Sequence, residues 1–423
     1  MTGDWGKRHF RAAVARACLV LPCVLALANN ASAQARAEPP AASPVTVSLL
    51  TVGPGDIFFE RFGHNAIVVR DADSGAAVAY NYGIFDFEQQ DFLLNFARGR
   101  MLYRIAVDEL GDDLAMYRGE GRSITEQRLD LAPEQARALV DFLDWNARPE
   151  NAQYRYDYFE ANCSTRVRDA LDRALGGALR AQSEGRSRGY TYRLDALRLM
   201  APEPLLAIGI DLGLGPYADQ RIDFWQESFV PETLSKVVAQ ANVARDGRDV
   251  PLAGAIETLS KGQVEEPPAL PPDRRLPFLG LGLALGAGLF WLGRSPRASA
   301  RIPLAAFASL FELFCGVGGL VLLFLWLGTE HRAAWRNENL LLLDPLCLLL
   351  LPAWLGAMRR RRAVRGATRW IAWLVVLVAA FALFSKILPW FAQANVQWIA
   401  LLLPIHLALA LALQRDPGRG PAR

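Results

Sequence analysis

Between residues 45 and 262 the sequence holds one cysteine, Cys163, and one histidine, His64. Such a pair can attack an acyl carbonyl: the thiolate is the nucleophile, the imidazole takes its proton, and N–H donors hold the oxyanion. Cys163 stands in Tyr158-Phe159-Glu160-Ala161-Asn162-Cys163-Ser164-Thr165-Arg166, and an apolar helical period then runs through Val167, Ala170, Leu171 and Leu175. Asn162 is suited to cap that helix, which places the thiol in the first turn. There the helix dipole and free N–H groups are expected to lower the thiol pKa, so that an accessible Cys163 would alkylate below pH 7. The Cys163 N–H could itself line an oxyanion hole. His64 stands in Arg61-Phe62-Gly63-His64-Asn65-Ala66-Ile67-Val68-Val69, at the start of a strand that faces the Cys163 helix. Taken singly, a cysteine is a small buried hydrophobe and a histidine a satisfied core residue; as the only such pair in the region they read as a catalytic dyad.

A third polar group should orient the imidazole, and the strand after His64 is its natural source. A hairpin folded around Asp73 puts Tyr82 opposite His64, with Asn81 facing the other side. Tyr82 is therefore the first choice and Asn81 the second. The plainer reading is that Tyr80-Asn81-Tyr82-Gly83-Ile84-Phe85-Asp86-Phe87 is an aromatic core strand.

The elements that must carry these residues can be traced outward. Val45 to Val52 followed by Gly53-Pro54-Gly55 reads as strand and turn, Asn65 to Arg70 as a second strand, and Ala76 to Phe87 as its partner. Pro133 to Asn146 has the period of a packing helix, with Ala136, Leu139, Val140, Phe142 and Leu143 on one side. The soluble domain is set at 45–262, preceded by a Pro- and Ala-rich linker, 34–44. Before that, Lys7, Arg8 and Arg11, the apolar run Leu19 to Ala28 and Ala31-Ser32-Ala33 form a signal peptide, 1–33, cleaved before Gln34; an uncleaved anchor is the alternative. Of the other cysteines, Cys18 and Cys23 fall in that segment and Cys315 and Cys347 in apolar runs, so the soluble domain has no disulfide framework.

After a Pro-rich linker, 263–275, five apolar stretches fill 276–413: Leu276 to Gly293, Pro303 to Gly328, Leu340 to Met358, Trp370 to Phe391 and Trp398 to Leu413. Each is near the length that spans a bilayer. Arg294, Arg297 and Arg301 follow the first, and Arg359 to Arg362, Arg365 and Arg369 the third, whereas Lys386 is alone after the fourth. Positive-inside bias puts the arginine loops and the tail, 414–423, in the cytoplasm, and the soluble domain outside with the loops 330–339 and 385–397. His331, Arg332, Arg336, Asn337 and Asn339 then lie at the outer interface, where Arg336 could pair a lipid phosphate, although interfacial snorkelling explains an arginine equally well. Glu312 and Asp344 are carboxylates within spans, with structural or functional roles equally open.

With 52% hydrophobic residues beside 21% charged ones, the composition joins a soluble domain to a membrane domain. A net charge of +3, with the arginines gathered at apolar segments, argues against nucleic acid as partner. No phosphate loop or dinucleotide fingerprint occurs. His9, His64, His331 and His406 are scattered, so neither a metal nor another cofactor is expected.

The order Gly63-His64 then Asn162-Cys163 resembles the permuted NlpC-like papain superfamily, which includes lecithin:retinol acyltransferase. A closer resemblance is to the Lnb-type lipoprotein N-acyltransferases. It covers most of the soluble domain through Phe62-Gly63-His64-Asn65-Ala66, Asn81 to Phe87, Phe92 to Tyr103, Tyr158 to Arg168, Asp219, Trp225 and Phe229-Val230-Pro231. It continues in Asn337-Glu338-Asn339-Leu340-Leu341 and Pro345-Leu346. It implies an α+β papain-like domain with an antiparallel sheet, then an all-α domain of five transmembrane helices in a bacterial inner membrane, with catalysis in the periplasm. The implied reaction moves a fatty acyl chain from a phospholipid, through a Cys163 thioester, to the N-terminal amine of a lipoprotein, with Asn162, Arg336, Asn337 and Asn339 as candidate substrate contacts. Two rivals use the same residues differently: a cysteine amidase or endopeptidase acting on cell-wall peptides, and a non-catalytic membrane scaffold.

Overall fold

The computed structural model describes residues 45–86, 89–245, 247–358 and 364–415. The expected signal peptide, the linker 34–44, Arg359 to Arg362 and most of the tail lie outside the described residues.

Strands β1 (Val45–Val52), β2 (His64–Asp71), β3 (Ala77–Phe85), β4 (Leu102–Glu109), β5 (Ile124–Arg128) and β6 (Gln153–Arg155) form one sheet, a short hairpin makes β7 (Asn242–Arg245) and β8 (Arg248–Pro251), and β9 (Glu257–Ser260) closes the sheet. The order is β6-β4-β3-β2-β1-β5-β9, every neighbour antiparallel. The central strands are apolar on both faces because both are covered. On one face Leu49, Ile67, Tyr80 and Tyr82 pack beneath Leu139 and Leu143 of the Pro133–Asn146 helix and Val167 and Leu171 of the Cys163–Ala174 helix. On the other, Leu50, Val52, Ala66 and Val68 meet Leu110 and Tyr117 of the Leu110–Gly119 helix.

Beyond the sheet, four helices among the described residues are long and apolar enough to cross a membrane: Arg275–Arg294, Ala298–Leu327, Gly366–Phe384 and Val396–Gln414. The expected third span is not one helix. It is a pair of segments, Arg332–Leu341 and Pro345–Met358, bent by 45° at Asp344-Pro345 and largely 3-10 in its first half. Asp344 takes the Leu346 N–H and proline follows it, so the chain restarts there rather than continuing. Such irregular backbone is tolerated at membrane depth because it is enclosed: Leu342, Leu343, Cys347 and Leu350 are all buried in the membrane-domain core. The first and last spans approach closely over Gly282 and Gly286, where a Cβ would meet the Ala400 carbonyl at 2.4 Å and the Pro404 carbonyl at 3.0 Å.

The described residues form one compact unit, and the soluble and membrane parts are pinned together. The short apolar helix Pro204–Gly213 rests Ile208 and Leu212 on the membrane-domain core and leaves Leu205 exposed. Asn337 donates to the carbonyls of Leu212, Gly213 and Leu214, and Asn339 to that of Leu212. Glu330 accepts from Arg100 and Arg155 of the soluble domain. Gly215 closes the joint: its N–H donates to Ala333 O at 2.7 Å, and a Cβ there would lie 2.3 Å from Trp335 O.

Candidate active site

Cys163 is the first residue of its helix, and the cap forms as its sequence implies: Asn162 Oδ1 accepts the N–H groups of Ser164 and Thr165, both at 2.9 Å. The cap takes those two donors and leaves the Cys163 N–H at the helix tip. The helix is held against β2 by Ser164 Oγ, which donates to Asn65 Oδ1 at 2.8 Å. It comes close to β3 because Gly83 has no side chain: a Cβ there would lie 3.1 Å from Cys163 Cβ, and Gly83 has φ +87° besides. The thiol sulfur lies within electrostatic reach of the backbone N–H groups of Asn65 and Ser164. Cys163 thus sits at the peptide that follows His64.

The β2–β3 register pairs Arg70 with Ala77 and Ala66 with Asn81, so the turn centres between Asp73 and Ser74. That is one residue from the expected hairpin, and a one-residue slip exchanges the faces. Tyr82 therefore turns to the Cys163-helix side, where its hydroxyl donates to Asn146 Oδ1 at 2.7 Å. Asn81 is the group on the imidazole, with Oδ1 2.9 Å from His64 Nε2. Its amide orientation follows from its other neighbours. Asn81 Nδ2 donates to Asp113 Oδ2 at 2.7 Å and to Asp108 Oδ2 at 3.2 Å, so the oxygen must face the ring. His64 Nε2 consequently carries the proton, and Nδ1 is the basic nitrogen. Among the described residues no hydrogen bond joins the His64 ring to the Cys163 sulfur in this state.

Electrostatically the two groups rest neutral. Burial pulls His64 down to about 4, with Arg122 pushing the same way and the Asn81 bond opposing. Burial also raises the Cys163 thiol above its usual value, outweighing the N–H groups of Asn65 and Ser164 and the Arg122 charge that lower it. The expectation of a low thiol pKa from the helix terminus thus fails on desolvation, the larger effect here. Arg122 is 4% exposed, donates to Gly53 O at 3.0 Å and lies over the Tyr117 ring. Tyr117 in turn has its ring centre 6.2 Å from that of His64.

A wall of aromatic rings leads away from this point. Tyr103 stacks on Tyr156 at 4.0 Å and touches Phe85 at 4.7 Å, Phe85 meets Phe59, and Tyr156 leads through Tyr158 to His331 of the membrane domain. Both Tyr103 and Tyr156 lie within electrostatic reach of Cys163. Beside the wall, Ile57, Phe58, Phe59, Leu93, Leu94 and Phe96 are exposed.

The other expected contacts divide. Asn162 is buried with both ends of its amide engaged, Oδ1 in the cap and Nδ2 on Tyr158 O and Phe229 O. Asn337 and Asn339 are buried in the joint described above, their oxygens taken by Gln393 and Asn395. All three are buried and hydrogen-bonded within the protein. Arg336 is exposed, with a left-handed φ of 54°. Sequence reasoning passed over Arg122, Asp113 and Gly83. The glycine had a signal, since it interrupts an otherwise aromatic strand. The two charged residues had none, being indistinguishable in sequence from surface charges.

The family model of the Lnb N-terminal periplasmic domain matches residues 34–202 and that of the Lnb transmembrane domain matches residues 298–416, together about two thirds of the chain. No curated protein and no solved structure matches it. A periplasmic domain bearing the Cys163–His64 pair, joined to a membrane domain in this order, places the chain in the Lnb family, with the architecture of the Lnb-type lipoprotein N-acyltransferases.

Proposed function

We propose that this protein transfers a fatty acyl chain from a phospholipid to the N-terminal amine of lipoproteins at the outer face of the bacterial inner membrane, through a thioester on Cys163. The observation that carries the reading is the Asn81 Oδ1 to His64 Nε2 bond, which leaves Nδ1 as the basic nitrogen one residue before Asn65, whose backbone N–H lies within electrostatic reach of the Cys163 thiol. Nδ1 takes the Cys163 proton as sulfur attacks the donor ester carbonyl. The Cys163 N–H at the helix tip supports the oxyanion. The tetrahedral intermediate collapses, the C–O bond breaks, and His64 returns the proton to the departing lysolipid alkoxide. The acceptor amine then attacks the thioester, His64 receives its proton, and the sulfur leaves and is reprotonated. Atoms and charges balance without a cofactor.

The surroundings favour a lipid donor over a cell-wall peptide. The aromatic wall and the exposed Phe58, Phe59, Leu93 and Phe96 offer apolar cover to an acyl chain. Each buried methylene contributes about 0.8 kcal/mol, so a two-chain lipid is met in the bilayer rather than in water. The test is mass spectrometry of a lipoprotein N-terminal peptide from cells that lack other N-acyltransferases and express either this protein or Cys163→Ser at equal abundance. A further acyl chain with the intact protein alone supports the reading. No added chain from well-expressed intact protein overturns it and favours the amidase.

A further inference from the structure

We propose that Glu312, Cys347 and His406 form a binding site for a divalent transition-metal ion of borderline softness, zinc in type, enclosed within the membrane domain. Three elements meet there: the second span brings Glu312, the broken third span Cys347, and the last span His406. The ligand atoms all lie within 4.8 Å of one another, and the residues are 2%, 0% and 3% exposed. One oxygen, one sulfur and one nitrogen at that spacing suit a borderline ion better than magnesium or calcium, which take oxygen alone.

Two further observations point to an ion rather than to packing. Glu312 Oε2 is buried without a hydrogen-bond partner, as is Trp354 Nε1 near it, and Cys347 lies beside it as well. A carboxylate so placed within a span is costly unless something neutralises it. His406 is oriented as metal-binding histidines are: Nε2 donates to Leu342 O at 2.9 Å, which leaves the Nδ1 lone pair for the cluster. That carbonyl is free because the third span is broken there. Charge closes as well. A divalent cation with one carboxylate, one thiolate and a neutral imidazole is neutral overall, as a site in hydrocarbon requires. Its entry exchanges for two protons, one from the Cys347 thiol and one from the Glu312 carboxyl. Cys315, one turn along from Glu312 and within hydrogen-bonding reach of Cys347 and His406, is placed to donate its S–H to the ligand sulfur. The plainer account is a set of hydrogen bonds that tie three spans together; it requires Trp354 Nε1 to close on the Glu312 oxygen, and neither atom is partnered in the structure.

The test uses the full chain in detergent, purified reduced and without a polyhistidine tag or chelator, and titrated with Co2+. Expected are about one tightly bound ion per chain and a sulfur-to-cobalt charge-transfer band that Zn2+ bleaches. The band should vanish in Cys347→Ala, and affinity should fall roughly tenfold or more in Glu312→Gln. In case those variants fold poorly, Zn2+ should also protect Cys347 of the unaltered chain from a membrane-permeant maleimide. The proposal is overturned if the folded chain takes up no more Co2+ than Cys347→Ala and Zn2+ gives no protection. A Cys315–Cys347 disulfide in protein isolated without reductant would overturn it equally.

Discussion

Asn81 holds His64 by accepting, not donating: Oδ1 lies 2.9 Å from Nε2, because the amide nitrogen is already committed to Asp113 and Asp108. A chain of three hydrogen bonds thus fixes which imidazole nitrogen is basic. Asn81→Ala should remove that restraint and lower kcat on the order of 100-fold, within the range that a positioned base contributes, with little change in KM. Steady-state kinetics on donor vesicles would read the split; a change confined to KM would mean that Asn81 contacts lipid instead.

His64 is held at about 4 in the folded chain against 6.5 when unperturbed. Between those values the unfolded chain binds a proton that the folded one refuses. The sign is then fixed: stability is full above about pH 6.5 and declines as pH falls toward 4. Thermal unfolding followed from about pH 7 down to about pH 5 should show a falling Tm, and His64→Gln should flatten that part of the curve. An equal decline in His64→Gln would assign it to other groups.

The raised thiol pKa makes a second pH prediction. Iodoacetamide labelling of Cys163 should be slow at neutral pH and climb with pH past 9, the ordinary thiol value, because the resting site is neutral. Fast labelling below pH 7 would mean that the resting enzyme already holds a thiolate and imidazolium pair. Mass spectrometry of the Cys163 peptide, with Cys315 and Cys347 as buried internal references, distinguishes the two.

How much of this was legible beforehand depended on whether the deciding interactions were local. The helix starting at Cys163, its Asn162 cap and the Pro133–Asn146 helix are set by residues a few positions apart and stood in the sequence as they stand in the fold. The choice of Asn81 over Tyr82 turned on the centre of one hairpin, which a single residue in the turn decides and the flanking strands, apolar on both faces, do not betray. The break at Asp344-Pro345 was hidden by unbroken hydrophobicity, since hydropathy registers burial and not helical continuity. Glu312, Cys347 and His406 lie on different spans, and no spacing rule connects them.

Gly83 should tolerate no side chain. Gly83→Ala places a methyl 3.1 Å from Cys163 Cβ and asks alanine to adopt φ +87°. The strained backbone alone costs about 1–3 kcal/mol, and relief by withdrawing the Cys163 helix would move the sulfur from the Asn65 N–H. Expected are a lower Tm and loss of the acyl-enzyme in single-turnover labelling. A variant that keeps normal acylation would show that the close approach is incidental.

Arg336 occupies a left-handed backbone, φ 54°, on the exposed outer surface of the membrane domain, next to Asn337 of the joint. An L-residue there costs roughly 1–2 kcal/mol relative to glycine, and the side chain is exposed. Arg336→Gly should therefore raise stability by about 1 kcal/mol, seen as a small increase in Tm. If the strain is kept because the guanidinium meets lipid phosphates, the same variant should raise KM for anionic donor vesicles and leave kcat alone, since the contact would be present in ground and transition states alike. High salt should narrow the difference between variant and parent, because an exposed charge contact is screened. A more stable variant with unaltered KM would leave Arg336 as an ordinary interfacial arginine and would remove it from the substrate path.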